Sequence, residues 1–255
     1  MELYIILLLF IVGTIFGSFF NVVGDRLPRG ESIVFPPSHC NSCNHRLTAL
    51  ELIPVLSYLF QGGKCKKCKA KLSIVYPLYE IFCGAMFVVT YLSFGPTADF
   101  IIALTFVSML LIIFISDISY MIIPDEVLIT TLILLIIEMI AFNGLSFTLS
   151  ALLNGLIAGV IMLLLKFMGD FLFKKESMGG GDIKLLFFFG MVIDWPMAIL
   201  TIFMAAFIAL PVAITVLVKK KDHQVPFGPF LNIAAMIILF THIDINMVLN
   251  FLNVL

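Results

Sequence analysis

Charge is scarce in this sequence. Lys, Arg, Asp and Glu make up 12% of the 255 residues, about half the share of an ordinary soluble domain. So few charges cannot build the polar shell of a water-soluble globule. Hydrophobic residues fill the gap at 62%, against roughly 45–50% in soluble domains, and the chain is read as a polytopic membrane protein. Other absences narrow it further. No basic n-region precedes the first apolar run, which opens with Glu2, so the N-terminus is read as a retained span and not a cleaved signal. No G-x-G-x-x-G is present, and the polar segment 25–74 is too short for a dinucleotide-binding βαβ domain. The basic segment shows no recognition helix and no interleaved aromatics, so no nucleic-acid partner is expected. No repeat relates the two halves, which speaks against a transporter built from inverted repeats.

A spanning helix needs roughly 20 apolar residues. Candidate spans are 4–24, 75–94, 100–116, 125–142, 150–173, 183–194, 197–218 and 227–252. The sixth is short and could merge with the seventh around Trp195-Pro196, where proline permits a break. Of fifteen Lys and Arg, eight lie between Arg26 and Lys71. Lys174, Lys175 and Lys184 flank the fifth-to-sixth connection, and Lys219, Lys220 and Lys221 follow the seventh span. The connections around 95–99, 143–149 and 194–196 contain no basic residue. With about eight transmembrane helices, every basic segment falls on one side, the cytoplasmic side, and both termini lie outside. The basic residues would also hold the first loop against anionic membrane lipid.

That loop contains Cys40-x2-Cys43, twenty-one residues, then Cys65-x2-Cys68. Paired C-x2-C elements suit one tetrahedral zinc ion. Four cysteines complete the shell, so the site is expected to be structural and His39 and His45 to be loop residues. The alternative is two disulfides, against which stands the reducing cytoplasm. Cys43 and Cys68 are each followed four residues later by leucine, Leu47 and Leu72, as in two similar knuckles facing one metal. Cys83 lies in the second span and is read as a small buried apolar residue.

Carboxylates inside spans are costly and usually functional. Asp125 and Glu126 follow Pro124 in a first helical turn, where negative charge suits the dipole. Asp170 lies one turn from Lys166 and Lys174, Asp194 lies at the outer interface, and Glu138 has no evident partner. Asp117 ends one apolar run, and Asp182, in Met178-Gly179-Gly180-Gly181-Asp182-Ile183-Lys184, begins another. Both sit at similar shallow depth on one side. Two close carboxylates share a proton; one then takes a proton from water while the other donates to a scissile carbonyl or leaving amine. Glycines such as Gly179 and Gly181 would let a substrate backbone approach. The plainer alternatives are an N-cap role for Asp182 and a turn-capping role for Asp117.

Taken in order, several blocks resemble a known family. They are Gly17-Ser18-Phe19-Phe20-Asn21 with Arg26-Leu27-Pro28, the two C-x2-C pairs, and Ile53-Pro54-Val55-Leu56-Ser57-Tyr58-Leu59. Further along come Tyr76-Pro77-Leu78-Tyr79-Glu80, Asp117 with Ile122-Ile123-Pro124-Asp125, the Gly-Gly-Gly-Asp block, and Pro226-Phe227-Gly228-Pro229-Phe230. Over nearly its whole length the chain resembles the type IV prepilin leader peptidases of type IV pilus, type II secretion and competence systems. The resemblance implies a G-x-G-D aspartic endopeptidase, with chemistry related to presenilin and preflagellin peptidases, in the bacterial inner membrane. Its catalytic pair falls on Asp117 and Asp182, with Asp125 the rival for the first position. The substrates would be prepilins or pseudopilins, cleaved after a glycine at the cytoplasmic membrane boundary. The resemblance alone implies N-methylation of the new terminus with S-adenosylmethionine, a role tied to the first cytoplasmic loop.

The expected fold is all-α and polytopic, with a small cytoplasmic zinc-ribbon-like loop. The expected division is a first span (1–24), a four-cysteine zinc-binding loop and methyltransferase region (25–74), and a membrane aspartic peptidase domain (75–255). A small transporter with a zinc-stabilised loop is the alternative.

Overall fold

The computed structural model describes residues 2–174, 178–219 and 226–254. Lys175, Lys220 and Lys221, used above for orientation, lie outside them. Every regular element among the described residues is helical; the only strand-like pairings there are two isolated bridges, His39 with Arg46 and Lys64 with Lys71. The chain divides into two compact units, Met1–Pro96 and Thr97–Leu255.

The first unit is built on α1 (Glu2–Arg26) and α3 (Val75–Phe94), with the cysteine loop and the short α2 (Leu56–Phe60) between them in sequence. The two long helices run antiparallel and touch through small residues. A Cβ on Gly13 would stand 2.8 Å from the Gly84 Cα, and one on Gly17 2.8 Å from the Cys83 Cβ. In lipid, where apolar faces gain little by meeting, such close approach is what holds helices together. Cys83 is fully buried there, as expected of a small apolar residue.

The second unit contains α4 (Ala98–Tyr120), α5 (Asp125–Asn143), α6 (Leu145–Phe173), α7 (Gly180–Ile193), α8 (Trp195–Lys219), α9 (Gly228–Thr241) and α10 (Ile245–Val254). Helix α7 is its hub and packs on α4, α6, α8 and α9. Its partner α6 runs antiparallel and so close that a Cβ on Gly190 would lie 2.5 Å from the Asn154 carbonyl oxygen. Phe106 and Phe189 fill the interior edge to face, with ring centroids 5.8 Å apart.

Five described helices are long and apolar enough to cross a membrane: Glu2–Arg29, Val75–Phe94, Ala98–Tyr120, Leu145–Leu172 and Trp195–Val216. The chain is therefore a membrane protein, but the expected count of eight crossings goes beyond these five. The expected sixth span is a 14-residue helix, about 21 Å long at 1.5 Å per residue against a hydrocarbon core of roughly 30 Å. It does not merge with the next helix, because Asp194 turns the chain with φ 66° and accepts a hydrogen bond from Asn154 Nδ2 at 2.6 Å. The expected span 227–252 is two helices, parted where His242 adopts φ 50°.

The α6–α7 contact yields a stability prediction. Around Gly190 the obstructing atoms are the Asn154 carbonyl oxygen, the Ala158 Cβ and the Gly155 Cα, all within 2.9 Å of an added Cβ. None belongs to a flexible side chain, so Gly190→Val should cost about 2 kcal/mol or more by overpacking. A thermal unfolding curve in detergent that matches wild type would contradict this packing.

Candidate active site and metal centre

The cysteine loop folds as two copies of one knuckle, offset by 25 residues. In the first, the Cys40 amide donates to the His45 carbonyl (2.9 Å) and the Asn44 amide to the Cys40 carbonyl (2.8 Å); in the second, Cys65 donates to Ala70 (2.9 Å) and Lys69 to Cys65 (3.0 Å). Asn44 and Lys69 share the same left-handed turn, with φ 53° and 60°. The repeat seen as Cys-x3-Leu is thus a repeat of backbone conformation.

The knuckles bring the sulfurs of Cys40, Cys43, Cys65 and Cys68 within 4.8 Å of one another. Cys40 and Cys68 are 3.8 Å apart and Cys43 and Cys65 4.0 Å, so all four are free thiols and neither disulfide forms. Four thiolates about 2.3 Å from one zinc ion would stand roughly 3.8 Å apart along the tetrahedron's edges, so the spacing suits a single tetrahedral ion. The electrostatics agree. The backbone N–H groups of Ser42 and Cys43 bring the Cys40 thiol down to about 6. The His45 N–H favours a Cys43 thiolate too, but burial and the three neighbouring thiols push that group up to about 11. Four crowded thiols cannot all ionise until a cation balances them.

Asp117 lies in the last turn of α4 and Asp182 in the first turn of α7. The N-cap of α7 is Gly179, not Asp182, so the capping alternative does not describe its place. Asp117 is 6% exposed and Asp182 9%, and the two carboxylates interact electrostatically. Gly228, where α9 begins, lies against Asp117: a Cβ there would fall 2.2 Å from Asp117 Oδ2. Three helix ends therefore meet around two buried carboxylates. Asp125 stands apart: it pairs with Lys184, and its side chain is 60% exposed. The motif glycines differ in use. A Cβ on Gly181 would press to 2.7 Å from the Ile123 Cδ1, so that glycine seats α7 on the chain leaving α4; Gly180 has nothing within 4 Å and leaves the backbone open.

Known proteins resemble the chain over most of its length. Residues 11–94 match the bacterial peptidase A24 N-terminal domain, and residues 104–214 match the type IV leader peptidase family. A prepilin leader peptidase/N-methyltransferase of Bacillus subtilis is 35% identical, over 87% of this chain and 88% of that relative. The chain belongs to the type IV leader peptidase family. Proteins of the same description from Pseudomonas putida and Pseudomonas aeruginosa are 30% and 32% identical, over 92% and 90% of this chain and 90% and 88% of theirs. No solved structure matches it.

Within this family member, several polar residues find uses that sequence reasoning left open. Glu51 closes a capping box with Thr48; the Thr48 amide and hydroxyl donate to it at 3.0 and 2.8 Å and hold its carboxyl below the usual range. The Thr105 hydroxyl donates to Glu138 at 2.8 Å. Buried Glu80 on α3 accepts the Val55 amide at 2.8 Å. Val55 itself sits at φ 60°, ψ −53°, in a γ-turn whose Leu56 amide donates to the Pro54 carbonyl at 2.5 Å. A β-branched residue rarely adopts this conformation. Such a turn persists where its surroundings over-determine it, and the Glu80 carboxylate does so here.

Glu80→Leu should therefore leave the half-buried Val55 amide without its carboxyl acceptor and relax the γ-turn, at about 1–2 kcal/mol. The check is thermal unfolding of the variant beside Glu80→Gln, which retains an acceptor and should lie between it and wild type. Equal stability of all three would show that Glu80 does not hold the turn.

Proposed function

We propose that this chain cleaves the leader from prepilins or pseudopilins and N-methylates the new terminus. The reading combines family membership with one observation: two buried, interacting carboxylates on different helices. Asp117 and Asp182 are the catalytic pair. As a water oxygen bonds to the scissile carbonyl carbon, one carboxylate removes a proton from that water and the other carboxyl gives its proton to the carbonyl oxygen. On collapse of the gem-diol the C–N bond breaks. The amine nitrogen takes the first proton, and the second aspartate recovers one from a gem-diol hydroxyl. Asp125, exposed and paired with Lys184, is less suited to this chemistry. Gly179 and Gly181 shape the approach to Asp182. The transporter alternative leaves the buried pair without a task.

The cysteine cluster is a structural zinc site, because Cys40, Cys43, Cys65 and Cys68 leave no ligand position open. The segment 25–74 is the methyltransferase region and 75–255 the peptidase domain. The methyl donor is S-adenosylmethionine by family resemblance, and the residues that hold it are not assigned. The enzyme is a multi-pass protein of the bacterial inner membrane, in contact with membrane lipid. Its active site is near the cytoplasmic face, the side assigned from the distribution of basic residues.

Asp117→Asn and Asp182→Asn should each lower prepilin cleavage in membranes at least about a hundredfold, while Asp125→Asn should retain it. Wild-type cleavage by either of the first two variants would remove that residue from the pair. Reduced, purified protein should carry one zinc ion per chain by elemental analysis, lost in Cys40→Ser; absence of zinc from the wild type would refute the metal assignment.

A further inference from the structure

The short helix α2 is inside out for a segment surrounded by water. Leu56, Leu59 and Phe60 stand at positions i, i+3 and i+4, which share one helical face, and they are 50%, 65% and 87% exposed. The opposite side is turned inward. There Tyr58 packs on the second cysteine knuckle, so closely that a Cβ on Gly63 would lie 2.9 Å from its hydroxyl. The Gly63 amide donates to the Tyr58 carbonyl at 2.9 Å, and the Leu72 amide to the Gly63 carbonyl at 2.8 Å. Helix and knuckle are therefore one piece, with the apolar face fixed outward. Large apolar side chains gathered on a surface mark a place where something else binds.

The depth of α2 says what that is. Helix α3 has 20 residues, about 30 Å at 1.5 Å per residue, against a hydrocarbon core of roughly 30 Å. It has no length to spare, so Val75 stands at the membrane boundary and Glu80, five residues on, about 8 Å inside it. Side chains on a helix lean toward its N-terminus, so the Glu80 carboxylate reaches back toward that boundary. There it accepts the Val55 amide at 2.8 Å. Leu56, the first residue of α2, follows directly. The helix is thus tied to a membrane span at the level of the interface.

Charge agrees with that placement. From Leu52 to Tyr79 the charged residues are Lys64, Lys66, Lys67, Lys69 and Lys71, with no Asp or Glu among them. All five are exposed on the knuckle to which α2 is bonded. A second copy of this chain, meeting the same face about a two-fold axis, would set lysines against lysines. Anionic lipid headgroups lie just outside the apolar core and suit both parts of the surface at once.

We propose that α2 is a membrane anchor of the cysteine loop: Leu56, Leu59 and Phe60 enter the boundary between acyl chains and headgroups, and the lysines of the second knuckle bind anionic phospholipid headgroups beside them. The anchor adds an apolar insertion at a named place to the general attraction of basic residues for lipid. It goes beyond the peptidase reading and does not depend on it.

The test uses the full chain, one copy per nanodisc. Trp195→Phe removes the single native tryptophan, and Phe60→Trp places an indole on the outward face. The discs contain phosphatidylcholine brominated near the headgroup end of its acyl chains, with or without phosphatidylglycerol. In discs about one-third anionic, the brominated lipid should quench the indole at least about twofold, and aqueous acrylamide should quench it about fivefold less than it quenches free N-acetyltryptophanamide. Quenching by brominated lipid should rise with anionic content, and Lys66→Gln, Lys67→Gln and Lys71→Gln together should remove about half of that rise or more. Leu59→Trp supplies the probe if Phe60→Trp fails to fold. Free access of acrylamide with no quenching by lipid would overturn the inference. So would protection that appears only with two chains per disc or after prepilin is added, which marks a second copy or the substrate as the occupant. A lipid response indifferent to anionic content would overturn the part given to the lysines.

Discussion

The second unit depends on one costly arrangement, two carboxylates buried within reach of each other among apolar helices. Each charge loses its water and gains a like-charged neighbour, so the pair holds one negative charge more readily than two. The structure places Asp182 in the first turn of α7, where backbone amides are unpaired, Asp117 in the last turn of α4, and the start of α9 beside Asp117 as a third end. Helix α7 is short for a spanning helix and is gripped by four others. A helix that presents its first turn to an interior site has reason to be short.

The first unit resolves a related problem with sulfur in place of oxygen. Four thiols within 4.8 Å repel one another once ionised, and the structure pairs a readily ionised Cys40 with a resistant Cys43. Two copies of a single backbone turn deliver those sulfurs, each needing a left-handed residue, Asn44 or Lys69. Nearby, Glu80 holds the γ-turn at Val55. In both units, then, several polar groups that are expensive to bury lie where the chain reverses or a helix begins or ends, where backbone groups are left without intrahelical partners.

Much of this was legible from the residues. Apolar runs located the helices, since a membrane demands long uninterrupted stretches of apolar side chains. The C-x2-C spacing foretold the cluster, because two residues between cysteines is what one tight turn allows. The Gly-Gly-Gly-Asp block marked the start of α7. The span count was less secure: hydropathy alone made one span of 227–252, where the chain turns at His242, and it could not separate a short helix such as Gly180–Ile193 from a full crossing.

By itself the sequence determined where apolar helices run and which four sulfurs belong together, since each follows from local composition or spacing. Tertiary structure alone decided the rest. Asp117 and Asp182 are 65 residues apart in the chain, and only the packing of α4 against α7 makes them neighbours. The same packing leaves Asp125 exposed with Lys184. It also brings Gly228, from more than a hundred residues further along, up to the Asp117 carboxylate. Contact between distant helix ends is a property of how helices pack, and no local pattern encodes it.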